Sequence, residues 1–205
     1  MKRILFSVMA AALAVAPALA QNAEKPKRKM PSSIKLFTNL KAATKEAARY
    51  DAPIFVAAVG RDTPAEEGMK MLVMNKFFRE LASKGFFVYT MRIELSKKEK
   101  SFDGRSPKPL YEKLTAEDRA LLDVICPPDN IRKLPLYGMV TPDAKELKIK
   151  GIDMPRPPGP NTEYYGPYLQ RLQSASQAYG IDIEMSKAMV KYIEFPPPAK
   201  KKKRR

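Results

Sequence analysis

Residues 53–60, Pro53-Ile54-Phe55-Val56-Ala57-Ala58-Val59-Gly60, run without one charged side chain through a protein whose residues are 29% charged. A short, continuous apolar run rich in β-branched residues predicts a strand buried on both of its faces. Such a strand needs helices above and below its sheet, which narrows the fold to a layered α/β arrangement.

The flanking sequence supplies those helices. Leu36, Leu40, Ala43 and Ala47 recur at helical spacing and predict an amphipathic helix from about Ser33 to Tyr50. After the strand, Thr63 is a good N-cap, Pro64 suits the first helical position, and Glu66 completes a capping box. Met69, Leu72, Val73, Phe77 and Leu81 then form one face of a single long helix closed by Lys84 and Gly85. Residues 86–95 predict a second strand, with Phe87, Tyr89, Met91 and Ile93 on the more apolar side.

Residues 96–113 are charged, contain Asp103-Gly104 and two prolines, and read as a surface insertion. Thr115 caps a helix that Pro127 and Pro128 terminate. Residues 135–141 and 146–149 predict a hairpin around Pro142-Asp143. A proline-rich linker over residues 153–167 leads to a helix over 163–179, whose Tyr165, Leu169, Leu172 and Tyr179 share one side. Tyr164, Tyr165 and Tyr168 suit either that helix's core face or a ligand surface. Gly180 ends the helix, and residues 181–195 add an element that is helical from Met185 through Met189 to Ile193.

The N-terminus has the layout of a cleaved signal peptide over residues 1–20: Lys2 and Arg3, an apolar run to Ala16, then Ala18-Leu19-Ala20 before Gln21. The run is short for a bilayer span, although an uncleaved anchor is the alternative. No later stretch approaches its length, so the mature chain is expected to be soluble, without a transmembrane helix, and periplasmic or secreted. Removing Lys2 and Arg3 lowers the formal charge from +16 to +14, and most of the excess sits in two arms. Residues 21–33 read as a flexible basic arm, and Pro196-Pro197-Pro198-Ala199 spaces off Lys200, Lys201, Lys202, Lys203, Arg204 and Arg205 as a disordered tail. The tail suits an anionic envelope surface or polymer, or mere solubility. Without interleaved aromatics it offers no specific nucleic-acid recognition.

Chemistry is constrained by what is missing. The chain has no His and one Cys. Dithiol exchange, His-based acid–base catalysis and zinc binding through the usual ligands therefore lose their atoms, and no cofactor is implied. Cys126 cannot form an internal disulfide, and it follows a predicted helix whose negative end disfavours a thiolate. An inert, partly buried thiol is the simpler expectation; a reactive one pairing with a partner is the alternative.

The order helix, strand, helix, strand, helix, strand, strand, helix over residues 34–180 resembles the thioredoxin-like family. Three motifs carry the likeness: Ala52-Pro53-Ile54-Phe55-Val56 opening the central strand, the loop of residues 60–67 opening a helix, and Asn130-Ile131-Arg132-Lys133-Leu134-Pro135-Leu136-Tyr137 before the hairpin. The resemblance implies an α/β fold with a central mixed four-stranded sheet covered by helices on both faces. It places the family's two redox cysteines on Pro64 and Glu67 and the preceding aromatic on Thr63, so none of these can exchange thiols. It also aligns the family's cis-proline with Pro135, and Leu134 with the residue whose backbone pairs with a bound peptide. A trans proline at the start of a strand is the rival for Leu134-Pro135.

Glu66 and Glu67 invite a reading as an acid–base or metal-binding pair, although carboxylates in a helix's first turn are expected on dipole grounds alone. The expected function is a non-catalytic module that binds an extended peptide or envelope protein through Thr63, Pro64, Glu67, Leu134 and Pro135. The alternatives are a thiol-disulfide oxidoreductase working through Cys126 and an envelope scaffold anchored by the basic tail.

Overall fold

A computed structural model of the 205-residue chain describes residues 30–130, 133–147, 164–178 and 180–195. The expected signal peptide, most of the expected N-terminal arm, Ile131 and Arg132, residues 148–163, Tyr179 and the tail with Lys200, Lys201, Lys202, Lys203, Arg204 and Arg205 lie outside the described residues.

The apolar run forms β2 (Ile54–Gly60), whose seven residues are all buried. It pairs in parallel with β3 (Phe87–Ile93) and antiparallel with β6 (Leu136–Val140). A short strand, β1 (Leu36–Phe37), pairs in parallel with the outer side of β3, giving a mixed four-stranded sheet in the order β1-β3-β2-β6. The strand period of two then divides the core. Phe55, Ala57 and Val59 face one apolar layer, while Ile54, Val56 and Ala58 face the other with Phe87, Tyr89, Met91 and Ile93.

Helices cover both faces. The second layer includes residues of α1 (Leu40–Tyr50) and α4 (Ala116–Ile125), and the Tyr89 hydroxyl donates to Asp118 Oδ1 at 2.6 Å, tying α4 to β3. Burial first, then the bond to the Asp118 carboxylate, hold that hydroxyl well above the usual tyrosine range. The first layer takes α2 (Pro64–Met74), α3 (Lys76–Gly85), α5 (Gly166–Ala178) and α6 (Lys187–Glu194).

Three sequence expectations are corrected and a fourth, the surface insertion, gains detail. The first helix starts at Leu40 and not at Ser33, because the Asn39 side chain caps it through Ala42 N–H at 2.9 Å and Leu36 and Phe37 are drawn into the sheet. The long helix is two, broken at Asn75, whose backbone is extended and whose Oδ1 accepts from both Phe77 and Phe78 N–H. The predicted surface insertion is itself ordered as a two-stranded sheet of β4 (Leu95–Lys100) and β5 (Pro107–Pro109). Beyond the Pro142-Asp143 turn, Glu146 and Leu147 are not in a strand, although the Glu146 carbonyl accepts from Thr141 N–H at 2.9 Å; the rest of that expected strand lies outside the described residues.

Candidate functional site

The C-terminal end of β2 and the start of α2 are joined by Arg61, Asp62 and Thr63, a link tied down by several hydrogen bonds. Arg61 N–H donates to the Ile93 carbonyl at 2.8 Å, the Thr63 hydroxyl donates to the Gly60 carbonyl at 2.7 Å, and Thr63 Oγ1 accepts from Glu66 N–H at 3.4 Å. Pro64 occupies the first turn without a donor to satisfy. The Glu66 carboxylate reaches one residue further back than a capping box would: it accepts from Asp62 N–H at 2.7 Å, with Asp62 in the left-handed region at φ 57°.

Glu66 turns inward. It is 4% exposed, and its Oε1 lies 2.7 Å from Arg92 Nε and 3.6 Å from Lys70 Nζ. Burial alone would raise its pKa, but the Asp62 N–H and the Arg92 guanidinium outweigh that and hold the carboxyl below its ordinary value of 4.5. Glu67, by contrast, is exposed. The two carboxylates are therefore not presented as a pair, and among the described residues no group of three or more His, Cys, Asp or Glu could hold a metal ion.

Beside the α2 start lies an open cleft of about 580 Å³. It is lined by Gly60, Thr63, Pro64 and Ala65 at the α2 start and by Lys133, Leu134 and Pro135. The Leu134-Pro135 peptide bond is cis. Leu134 and Pro135 are half-buried, and the Leu134 main chain makes no hydrogen bond to another described residue, whereas the chain from Leu136 onward is paired with β2. Four of the five residues expected to form a groove thus meet at one cleft, and Glu67 does not line it.

The third wall was not expected from the sequence. The β4–β5 hairpin contributes Leu95, Phe102, Lys108 and Pro109, followed by Tyr111. Its tip is shaped by Asp103, whose Oδ1 accepts from the Ser101 hydroxyl and, at 3.1 Å, from Arg105 N–H; Gly104 follows at φ 67°. The Ser101 bond, the largest influence, and the Arg105 N–H keep Asp103 below the usual carboxylate range. Phe102 stands at this tip 94% exposed. A Cβ at Gly60 would lie 2.9 Å from Thr63 Cγ2 and 3.0 Å from Leu95 Cδ1, so the missing side chain lets β4 and the α2 start close on each other. An aromatic beside Asp103-Gly104 in a charged stretch was the sequence signal for this wall.

Cys126 is buried at the C-cap of α4 and is not among the cleft residues. Tyr165 and Tyr168 are core residues, and the half-buried Tyr164 donates to the Ile193 carbonyl at 2.5 Å. No helix among the described residues is long and apolar enough to cross a membrane. Comparison with family models, curated proteins and solved structures returns no match.

Proposed function

We propose that this chain is an exported, thioredoxin-like protein without redox cysteines that acts by binding an extended peptide in the cleft between the α2 start and cis-Pro135. The observation that carries the reading is the meeting of Thr63 and Pro64 with Leu134 and Pro135 at one open cleft. Chemistry at that position has no atoms to work with. Where a thiolate would need free N–H groups at the helix start, Thr63 and Glu66 already engage that end, and Pro64 has neither thiol nor N–H.

Binding has the shape it needs. The cleft volume falls within the ~300–1,000 Å³ of ordinary ligand sites, and an extended peptide could take main-chain hydrogen bonds from Leu134 as an added strand does. The oxidoreductase alternative is not favoured, because Cys126 lies away from the cleft.

The test is selection of phage-displayed decapeptides on the full chain, followed by hydrogen-exchange footprinting. Selected peptides are expected to protect residues 63–65 and 133–136, and to lose at least tenfold in affinity against Ala65→Trp, which fills the cleft. Binders that footprint elsewhere and ignore Ala65→Trp would overturn the reading. Trapping of mixed disulfides that disappears in Cys126→Ser would replace it with the thiol-dependent alternative.

A further inference from the structure

The walls of the cleft are apolar and its rim is cationic, and this pairing specifies what fits. Resting on the peptide-binding reading, we infer that the cleft selects acidic segments, with an apolar side chain held between Phe102 and Pro135 and flanking carboxylates met by Lys108 and Lys133.

Phe102 is the most solvent-exposed large apolar residue described, at 94%. Left bare, a phenylalanine forgoes the stabilisation that burial of its ring would supply. It borders the same cleft as Pro64 and Pro135, so an inserted side chain would meet apolar surface from the hairpin and from the two prolines.

The charge around it has one sign in excess. Residues 95–113 hold six basic and three acidic side chains, and Lys133, which also lines the cleft, adds another cation. The one carboxylate among the lining residues of the cleft, Asp103, accepts from Ser101 and Arg105 N–H in building the tip and also feels the Lys133 charge, so it offsets only part of the cationic excess. Lys108 does touch Glu99 at 3.1 Å, but both side chains are more than half exposed, and such a pair holds its partner weakly and can be exchanged for a ligand carboxylate. Glu66 is neutralised inside by Arg92, and Glu94, next to Leu95, is engaged by Lys113 at 2.6 Å and Arg61 at 3.7 Å.

Complementary charge at a rim selects partners and speeds their encounter. The same charge disfavours the chain's own basic segment, Lys200 to Arg205, as occupant. An anionic bilayer would satisfy the lysines, but it offers a broad surface, and Phe102 sits at the edge of a cleft with walls.

The experiment uses the full chain and three fluorescein-labelled decapeptide probes: one alternating Asp or Glu with Phe or Leu, its Asn/Gln isostere, and its Lys counterpart. The acidic probe is expected to bind at least tenfold more tightly than the isostere at low salt, with the gap closing as salt rises. The double variant Lys108→Glu, Lys133→Glu should erase or reverse the preference, and Phe102→Ala should weaken the acidic and neutral probes alike. All three residues are at the surface, and circular dichroism melts confirm folding. Equal binding of the three probes with a cleft footprint overturns the acidic preference and leaves peptide binding standing. No binding of any probe, together with phage-selected peptides that footprint elsewhere, overturns both. Anionic phosphatidylserine vesicles that bind the wild type but not Phe102→Ala, while the probes fail, would assign the hairpin to a lipid surface instead and overturn the inference.

Discussion

A carboxylate that is 4% exposed must either give up its charge or be surrounded by partners, and Glu66 has three: the Asp62 N–H, Arg92 and Lys70. Its position fixes the loop that forms one wall of the cleft, so its charge is structural and its effect on binding is indirect. Because its folded pKa is depressed, the charged form stabilises the fold fully above the ordinary value of 4.5, and that contribution is lost as pH falls through the lower folded value. Glu66→Gln removes the charge-assisted bonds, and since Arg92 remains 41% exposed and can rehydrate, the expected cost is about 1–2 kcal/mol at pH 7. Urea unfolding at a series of pH values checks this. The gap between wild type and Glu66→Gln should narrow on acidification below pH 4.5, and a gap that stays constant would mean that the amide's shape, and not the lost charge, is responsible.

Elements were legible where their signals were local. The β2 run, the Thr63-Pro64 start of α2 and the α4 cap at Thr115 all announce themselves within a few residues, and each folds accordingly. Asn75 was a signal of the same kind that helical periodicity masked: Met69, Leu72, Phe77 and Leu81 keep a continuous apolar face across the break, although Asn is among the best N-caps. Replacing Asn75 with Ala removes the acceptor for Phe77 and Phe78 N–H, at an expected cost of about 1 kcal/mol in thermal or urea unfolding, while Asn75→Asp should retain most of the stability. An unchanged midpoint for Asn75→Ala would show that the two helices can merge into one at no cost. Other features depend on residues far apart in sequence. The two-residue β1 is held by its register against Val88 and Tyr89, and the Glu66–Arg92 pair joins residues brought together by the α2-α3-β3 crossover. The hairpin is a mostly charged segment in sequence, and only the fold brings Phe102 to the cleft that Pro135 also lines. Of the candidate site, the α2 and Pro135 walls could be read from local motifs; the rim that confers charge could not.

At the scale of the molecule, the C-terminal residues close the core on the side away from α1 and α4. Ile183 is 2% exposed and Met189 is fully buried, both within the layer formed by α2, α3 and α5. Polar links fix the same contact: the Ser186 hydroxyl donates to Glu80 Oε2 at 3.0 Å, Lys84 Nζ donates to the Glu184 carbonyl at 2.9 Å, and the Tyr192 ring packs 4.6 Å from that of Phe77. Burying two such side chains contributes roughly 3–6 kcal/mol together, against a total stability of about 5–15 kcal/mol for a domain. Residues 181–195 should therefore be required for folding, in contrast to an appended element that could be trimmed away. Met189→Ala is expected to lower stability by about 2–5 kcal/mol in urea unfolding, since the cavity it leaves is enclosed by α3 and α5 and can collapse only in part. A truncation ending at Gly180 should go further, losing cooperative unfolding and binding a hydrophobic dye where Phe77 and Leu81 become bare. The cleft lies at the α2 start and the β4–β5 hairpin, so Met189→Ala should still bind an acidic probe when assayed at a temperature where it remains folded. A truncated chain that unfolds at the wild-type midpoint would place the C-terminal helix outside the cooperative core, and would refute its role in holding α3 and α5 together.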